Sequence, residues 1–158
     1  MNKYATLREE ALKNAVQQDY FGKYIYTQLG NIDFVVATHN TDNSQNSLFA
    51  PFEKENLKSI LWAEAKQGSH HDIYESFIQL ILTIGKEKTF EKHLPPKYIG
   101  SFDAEKFAFI EYHRIQEVFY QNDFNWNVAP SNHETKEFKL LYELCKSILE
   151  ENCILFRY

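Results

Sequence analysis

The sequence predicts an α/β fold, a three-layer sandwich in which a central mixed β-sheet is flanked by helices. Three observations predict it. Apolar residues recur at helical spacing in three stretches, and β-branched and aromatic residues crowd into four shorter runs. The two kinds of stretch interleave in the order helix, strand, strand, helix, strand, helix, strand. Nor does any internal repeat or Gly/Pro-rich linker divide the 158 residues, so one domain is expected, and 44% hydrophobic content suffices for a single core at this size.

The first helix is expected in "ATLREEALKNAVQQDYF", where Leu7, Ala11, Leu12, Ala15 and Val16 share a face. Thr6 is placed to cap it, with Glu9 completing a capping box. "GNIDFVVA" follows a Gly-Asn turn signal and "LKSILWAEA" matches it in composition, so both read as strands. Between them "THNTDNSQNSLFAPFEKEN" is dense in Asn, Ser, Thr and Asp and reads as a long loop. "HDIYESFIQLILTIGK" is a helix ending near Gly85, apolar around most of its circumference and therefore packed on the sheet. "KFAFIEY" is a third strand. "ETKEFKLLYELCKSILEE" is the last helix, with Phe138, Leu141, Leu144, Cys145 and Ile148 in register, and "CILFRY" the last strand.

Charge and composition exclude several classes. A net charge of −5 argues against a domain that grips nucleic acid by nonspecific charge alone. The longest apolar run, "FIQLILTI", is far shorter than the roughly 18 to 20 residues a membrane span needs. "MNKYATLREEALKN" lacks the apolar core of a secretory signal, so a cytoplasmic location is expected. Cys145 and Cys153 lack metal-ligand spacing and read as buried thiols.

Two acids stand out because each interrupts a strand that otherwise looks buried. Asp33 heads "DFVVATH", and Glu64 with Lys66 ends "SILWAEAK". If the two strands pair as an antiparallel hairpin, the start of the first lies beside the end of the second. The midpoint between positions 33 and 64 falls inside the polar loop, as a hairpin requires. Glu64 and Lys66, two apart, project from one face. Two converging carboxylates repel and lose hydration, a cost that a divalent cation offsets. Mg2+ suits them, since it takes hard oxygen ligands and shares its shell with phosphate. Lys66 would then orient or deprotonate an attacking water and stabilise phosphoryl charge. The spacing alone leaves open a plain Glu64–Lys66 ion pair with Asp33 at the surface.

The following helix adds a fourth residue. Asp72, Ser76, Gln79 and Thr83 form one narrow polar stripe, with Gln79 at its centre and within reach of Lys66 or of a metal-bound water. A solvated stripe is the other reading.

An Asp, then Glu-x-Lys at the end of the next strand, then a helix bearing Gln resembles the PD-(D/E)xK nuclease superfamily over residues 5 to 110. More narrowly, "GNIDFVVATH", "LWAEAKQGSHHDIYESFIQLILTIGK", "PPKYIGSFDAEKFAFI" and "NDFNWNVAPSNHETKEF" resemble the N-terminal endonuclease domain of type IIG restriction-modification proteins. The resemblance implies a restriction endonuclease-like fold and a Mg2+-dependent DNA endonuclease. Asp33 and Glu64 would hold the metal, and Lys66 and Gln79 would complete the catalytic set. The family's Pro-Asp is Ile-Asp here. The resemblance also implies a first-helix acid at the metal, Glu9 or Glu10, without choosing between them. The chain has five glycines, no Gly-x-Gly loop and no Asn-Pro-Pro-Tyr motif, so methyltransferase and target-recognition modules would lie elsewhere, on the same or a separate chain. The rival reading is a noncatalytic DNA-positioning or interaction domain that keeps the fold.

Three further clusters read mainly as structure. His70 and His71 in "GSHHDIYE" lack the further ligands of a zinc site, and Ser69 or Asp72 is placed to cap the helix. "GKEKTFEKHLPPKY" mixes four lysines with Glu87 and Glu91 and reads as a solvated loop rather than a phosphate-contacting one. "QNDFNWNVAPSNHE" reads as a packed irregular loop carrying Phe124 and Trp126, with Ser131 or Asn132 capping the last helix.

Overall fold

The structure is a computed structural model that describes residues 3–39 and 57–158. The long polar loop expected between the first two strands falls almost entirely outside them. The elements run α1 (Glu9–Phe21), β1 (Ile25–Thr27), β2 (Phe34–His39), β3 (Leu57–Ala65), α2 (Ile73–Glu87), α3 (Thr89–Lys92), β4 (Tyr98–Phe102), β5 (Lys106–Glu111), α4 (Lys136–Asn152) and β6 (Ile154–Arg157). Two 3-10 turns, Tyr112–Arg114 and Gln116–Tyr120, lie between β5 and α4.

The strands form one mixed sheet in sequence order, β1 to β6. Every neighbouring pair is antiparallel except β3 and β4, which are parallel. A parallel pair needs a crossover, and α2 with α3 supplies it. Alternation along the strands divides the core between the two faces. Val35, Trp62, Ile99 and Ala108 pack with Phe77, Ile81 and Ile84 of α2 and with Leu141 and Cys145 of α4. Phe34, Val36, Leu61 and Ala63 pack with Leu12 and Val16 of α1 on the opposite side.

Several expectations need correction. β1 and β4 were not anticipated: β1 is only three residues long, and β4 carries Gly100 in "KYIGSF" just after two prolines. Gly100 is where the strands crowd, since a Cβ there would stand 2.8 Å from Ala108 O. α1 begins at Glu9 with Arg8 as its N-cap residue and no capping side chain, so Thr6 does not cap it. Tyr4, 1% exposed, anchors a preceding turn in which Leu7 N donates to Tyr4 O, and this holds residues 4–7 out of the helix.

α4 buries Phe138, Leu141, Cys145 and Leu149, whereas Leu144 is 47% exposed. The helix packs on one side only, mainly against α2, so just one residue per turn is enclosed. Its cap is Thr135, whose Oγ1 accepts from Phe138 N, while Asn132 instead closes a turn by accepting from Glu134 N. For α2 the cap is Asp72, which accepts from Tyr74 N and Glu75 N. The stripe on α2 is not solvated as a whole. Ser76 and Thr83 are buried and donate to Asp72 O and Gln79 O one turn back, so their hydroxyls are satisfied within the helix.

The loop before α4 packs as expected. Trp126 lies over Gly85, where any Cβ would collide with its ring, and Phe124 meets Trp126 at 4.4 Å. Both cysteines are free, and burial pushes the Cys145 thiol up to about 12. No described helix is long and apolar enough to cross a membrane.

Candidate active site

Asp33 is delivered by a tight turn. Ile32 N donates to Leu29 O, and Gly30 takes φ +55°. The Glu87 carboxylate, at the end of α2, accepts from Asn31 N at 2.9 Å and would stand 2.6 Å from a Cβ at Gly30. The left-handed φ favours glycine there, and a Cβ would push the Glu87 carboxylate aside. Beyond the turn, β2 pairs with β3 as Phe34 with Ala63, Val35 with Trp62 and Val36 with Leu61. One step further out, Asp33 stands beside Glu64. Asp33 Oδ2 accepts from Ala65 N at 3.1 Å, which ties the acid to the neighbouring strand.

Glu64 is 4% exposed, near the end of β3. Lys66 follows immediately, its backbone held by donation to Phe102 O at 3.0 Å, which prolongs the β3–β4 pairing. Gln79 reaches both from α2: its Nε2 donates to Glu64 Oε1 at 2.9 Å, and its Oε1 accepts from Lys66 Nζ at 3.0 Å. Lys66 Nζ is also 3.4 Å from Glu64 Oε1. The structure thus brings together all four residues singled out in the sequence.

The electrostatics of the cluster are unbalanced. Burial first, then the Asp33 charge and contact with the Asp33 carboxyl, push the Glu64 carboxyl up to about 8, more than Lys66 offsets. At neutral pH the pair tends to keep a proton that a cation would displace. Glu9, on the first turn of α1, belongs to the same field. Burial and Asp33 raise its carboxyl above the ordinary value, while Lys13 and Lys66 pull it back. Glu10 instead is 80% exposed and paired with Lys13 at 2.6 Å. Of the two acids left open by the sequence, Glu9 is the one whose carboxyl feels the charges of Asp33 and Lys66.

The donor set fits a hard dication in chemistry: two neighbouring carboxylates, one held by a backbone N–H, with a third acid in the field. Among the described residues no group of three or more His, Cys, Asp or Glu side chains is placed to hold a metal ion, so water and substrate oxygens would complete any shell. His70 and His71 join no such group, and His71 Nε2 instead lies 2.8 Å from Gln67 O.

One residue of the cluster was missed. His133 Nε2 lies 2.9 Å from Gln79 Oε1, and its Nδ1 is 3.4 Å from Glu75 Oε2. In sequence His133 sits among Asn and Glu before α4 and looks like part of a cap. Its partner is 54 positions away, a pairing that a single sequence does not display.

No family model matches the chain, and neither a curated protein nor a solved structure matches it.

Proposed function

We propose that the chain is a Mg2+-dependent DNA endonuclease module with a restriction endonuclease-like, three-layer sandwich fold. It acts in the cytoplasm beside methyltransferase and target-recognition modules on the same or a separate chain. The observation that carries this reading is the meeting of Asp33, Glu64 and Lys66 at one sheet end, with the two acids on adjacent strands and one amine 3.4 Å from the buried one.

Asp33 and Glu64 would hold the metal, which when bound supplies positive charge to the scissile phosphate and acidifies water. The chain's own groups do the rest. Asp33 is fixed by Ala65 N, so its free oxygen points at a set position. Gln79 holds Glu64 Oε1 and Lys66 Nζ together and sets their spacing. Lys66, its side chain 22% exposed, reaches the substrate side, where it orients the attacking water and donates to a phosphoryl oxygen. Water adds to phosphorus, one bridging P–O bond breaks, and the products are a phosphate monoester and an alcohol.

The test is cleavage of duplex DNA with and without Mg2+, at low salt because a module of net charge −5 binds a polyanion weakly. Asp33→Ala should lose metal binding and cleavage together. Lys66→Ala should lose cleavage by about 100- to 10,000-fold while Mg2+ binding persists or tightens, because a nearby cation has gone. If wild type shows no Mg2+-dependent cleavage and neither variant differs from it in metal or DNA binding, the reading fails.

A further inference from the structure

We infer that His133 is a positioning residue that fixes the orientation of the Gln79 amide; this rests on the endonuclease reading for its catalytic consequence only. A side-chain amide has two ends of nearly the same shape and opposite polarity. In the structure the Gln79 carbonyl accepts from Lys66 Nζ at 3.0 Å and lies 2.9 Å from His133 Nε2, which donates to it when the ring carries its proton there, and its NH2 faces Glu64 Oε1 at 2.9 Å. Reversal would set NH2 against an ammonium and against the N–H of a ring protonated at Nε2 or doubly protonated, and the carbonyl against a carboxyl. Lys66 alone biases the choice weakly, because its flexible ammonium has Glu64 Oε1 as an alternative partner at 3.4 Å.

The His133 ring is held in position far more firmly. Its ring stacks on Phe138 at 4.2 Å with planes 17° apart, and Nδ1 lies 3.4 Å from Glu75 Oε2. Glu75 and Gln79 are one helical turn apart on α2, so the ring is clamped between two groups of one face. The segment carrying it is fixed in turn by Asn132 N on Ala129 O, by Glu134 N on Asn132 Oδ1 and by the Thr135 cap. The N-terminus of α4 therefore reports its position to Glu64 and Lys66 through a single amide.

The experiment compares wild type with His133→Ala, His133→Phe and His133→Gln. Phenylalanine keeps the stack on Phe138 and loses the donor; glutamine places an N–H at the same reach as Nε2. The first readout needs no activity: hydrogen exchange and chemical shift of the Gln79 side-chain NH2 by NMR. A fixed amide should show slow, distinct protons in wild type and in His133→Gln, and averaged, fast-exchanging ones in His133→Ala and His133→Phe. The second readout is Mg2+-dependent cleavage, where kcat should fall about 10- to 100-fold in the Ala and Phe variants with KM for DNA unchanged, and return in His133→Gln. Wild-type behaviour in His133→Phe, or NH2 signals unaltered in His133→Ala, overturns the inference. An inactive wild type overturns the endonuclease reading instead and leaves the NMR comparison to decide the role of His133.

Discussion

Among the described residues two buried acids, Asp103 and Glu64, are paired with lysines, and the pairs are built differently. In the turn between β4 and β5, Asp103 is fully enclosed. Its Oδ1 accepts from Glu105 N and Lys106 N, and its Oδ2 accepts from Lys106 Nζ at 2.6 Å. Every oxygen has a donor and the single negative charge has a cation against it. Glu64 is almost as buried, yet it receives one neutral amide donor, stands 3.4 Å from Lys66 and lies in the field of a second acid, Asp33. The first pair is a completed structural clamp. The second is left short of positive charge, a deficit that the proposed cation would offset.

Three measurements sharpen or break that contrast, beginning with the largest effect. Asp103→Ala strips a buried lysine of its partner and two backbone N–H groups of their acceptor, so stability should fall by about 3–5 kcal/mol, or a Tm loss of about 10 °C. Glu64→Gln, which removes one of two repelling carboxyls, should leave Tm unchanged or raise it. Equal destabilisation of the two variants would make the Glu64 cluster a second structural clamp.

The next effect depends on pH. The Glu64 carboxyl titrates higher in the folded chain than in the unfolded one, so between the ordinary carboxyl range and about pH 8 the folded state holds a proton that the unfolded state has released. Stability of the metal-free protein should therefore fall as pH rises through that window. Mg2+ should restore it most at the alkaline end, by about 3–6 °C in Tm at millimolar ion, and Glu64→Gln should flatten both dependences. A metal-free Tm that rises toward pH 8 would contradict the deficit.

The smallest effect concerns the outer acid. Glu9→Gln should change the Mg2+ concentration needed for half-maximal cleavage by about tenfold. Glu10→Gln, which removes an exposed carboxylate paired with the buried Lys13, should change it less than Glu9→Gln does.

What the sequence made legible follows from the range of each signal. The neighbourhood of Asp33 and Glu64 was readable because a hairpin turns distance along the chain into a spatial pairing, and Glu64 with Lys66 needed only the two-residue strand period. Gln79 was readable from helical spacing. His133 was not, since no periodicity links a loop residue to α2. β4 was hidden by Gly100, which strand preference disfavours but close packing on Ala108 O requires. Leu144 misled because composition shows that a helix has an apolar side, not how much of that side a neighbour covers.

The hairpin has a further consequence. Its pairing runs in step from Phe34 with Ala63 to Val36 with Leu61, then shifts by one, so that Ala37 faces Ser59 and Ile60 is the extra residue of a bulge. A bulge ends the phase relation between the two halves of a ladder. A disturbance of the pairs from Ala37 with Ser59 outward is therefore absorbed at Ile60, while the three pairs beside Asp33 keep their step. The ladder is held to a fixed geometry at the end that carries the site, so substitutions at Lys58 or Thr38 should be tolerated by it.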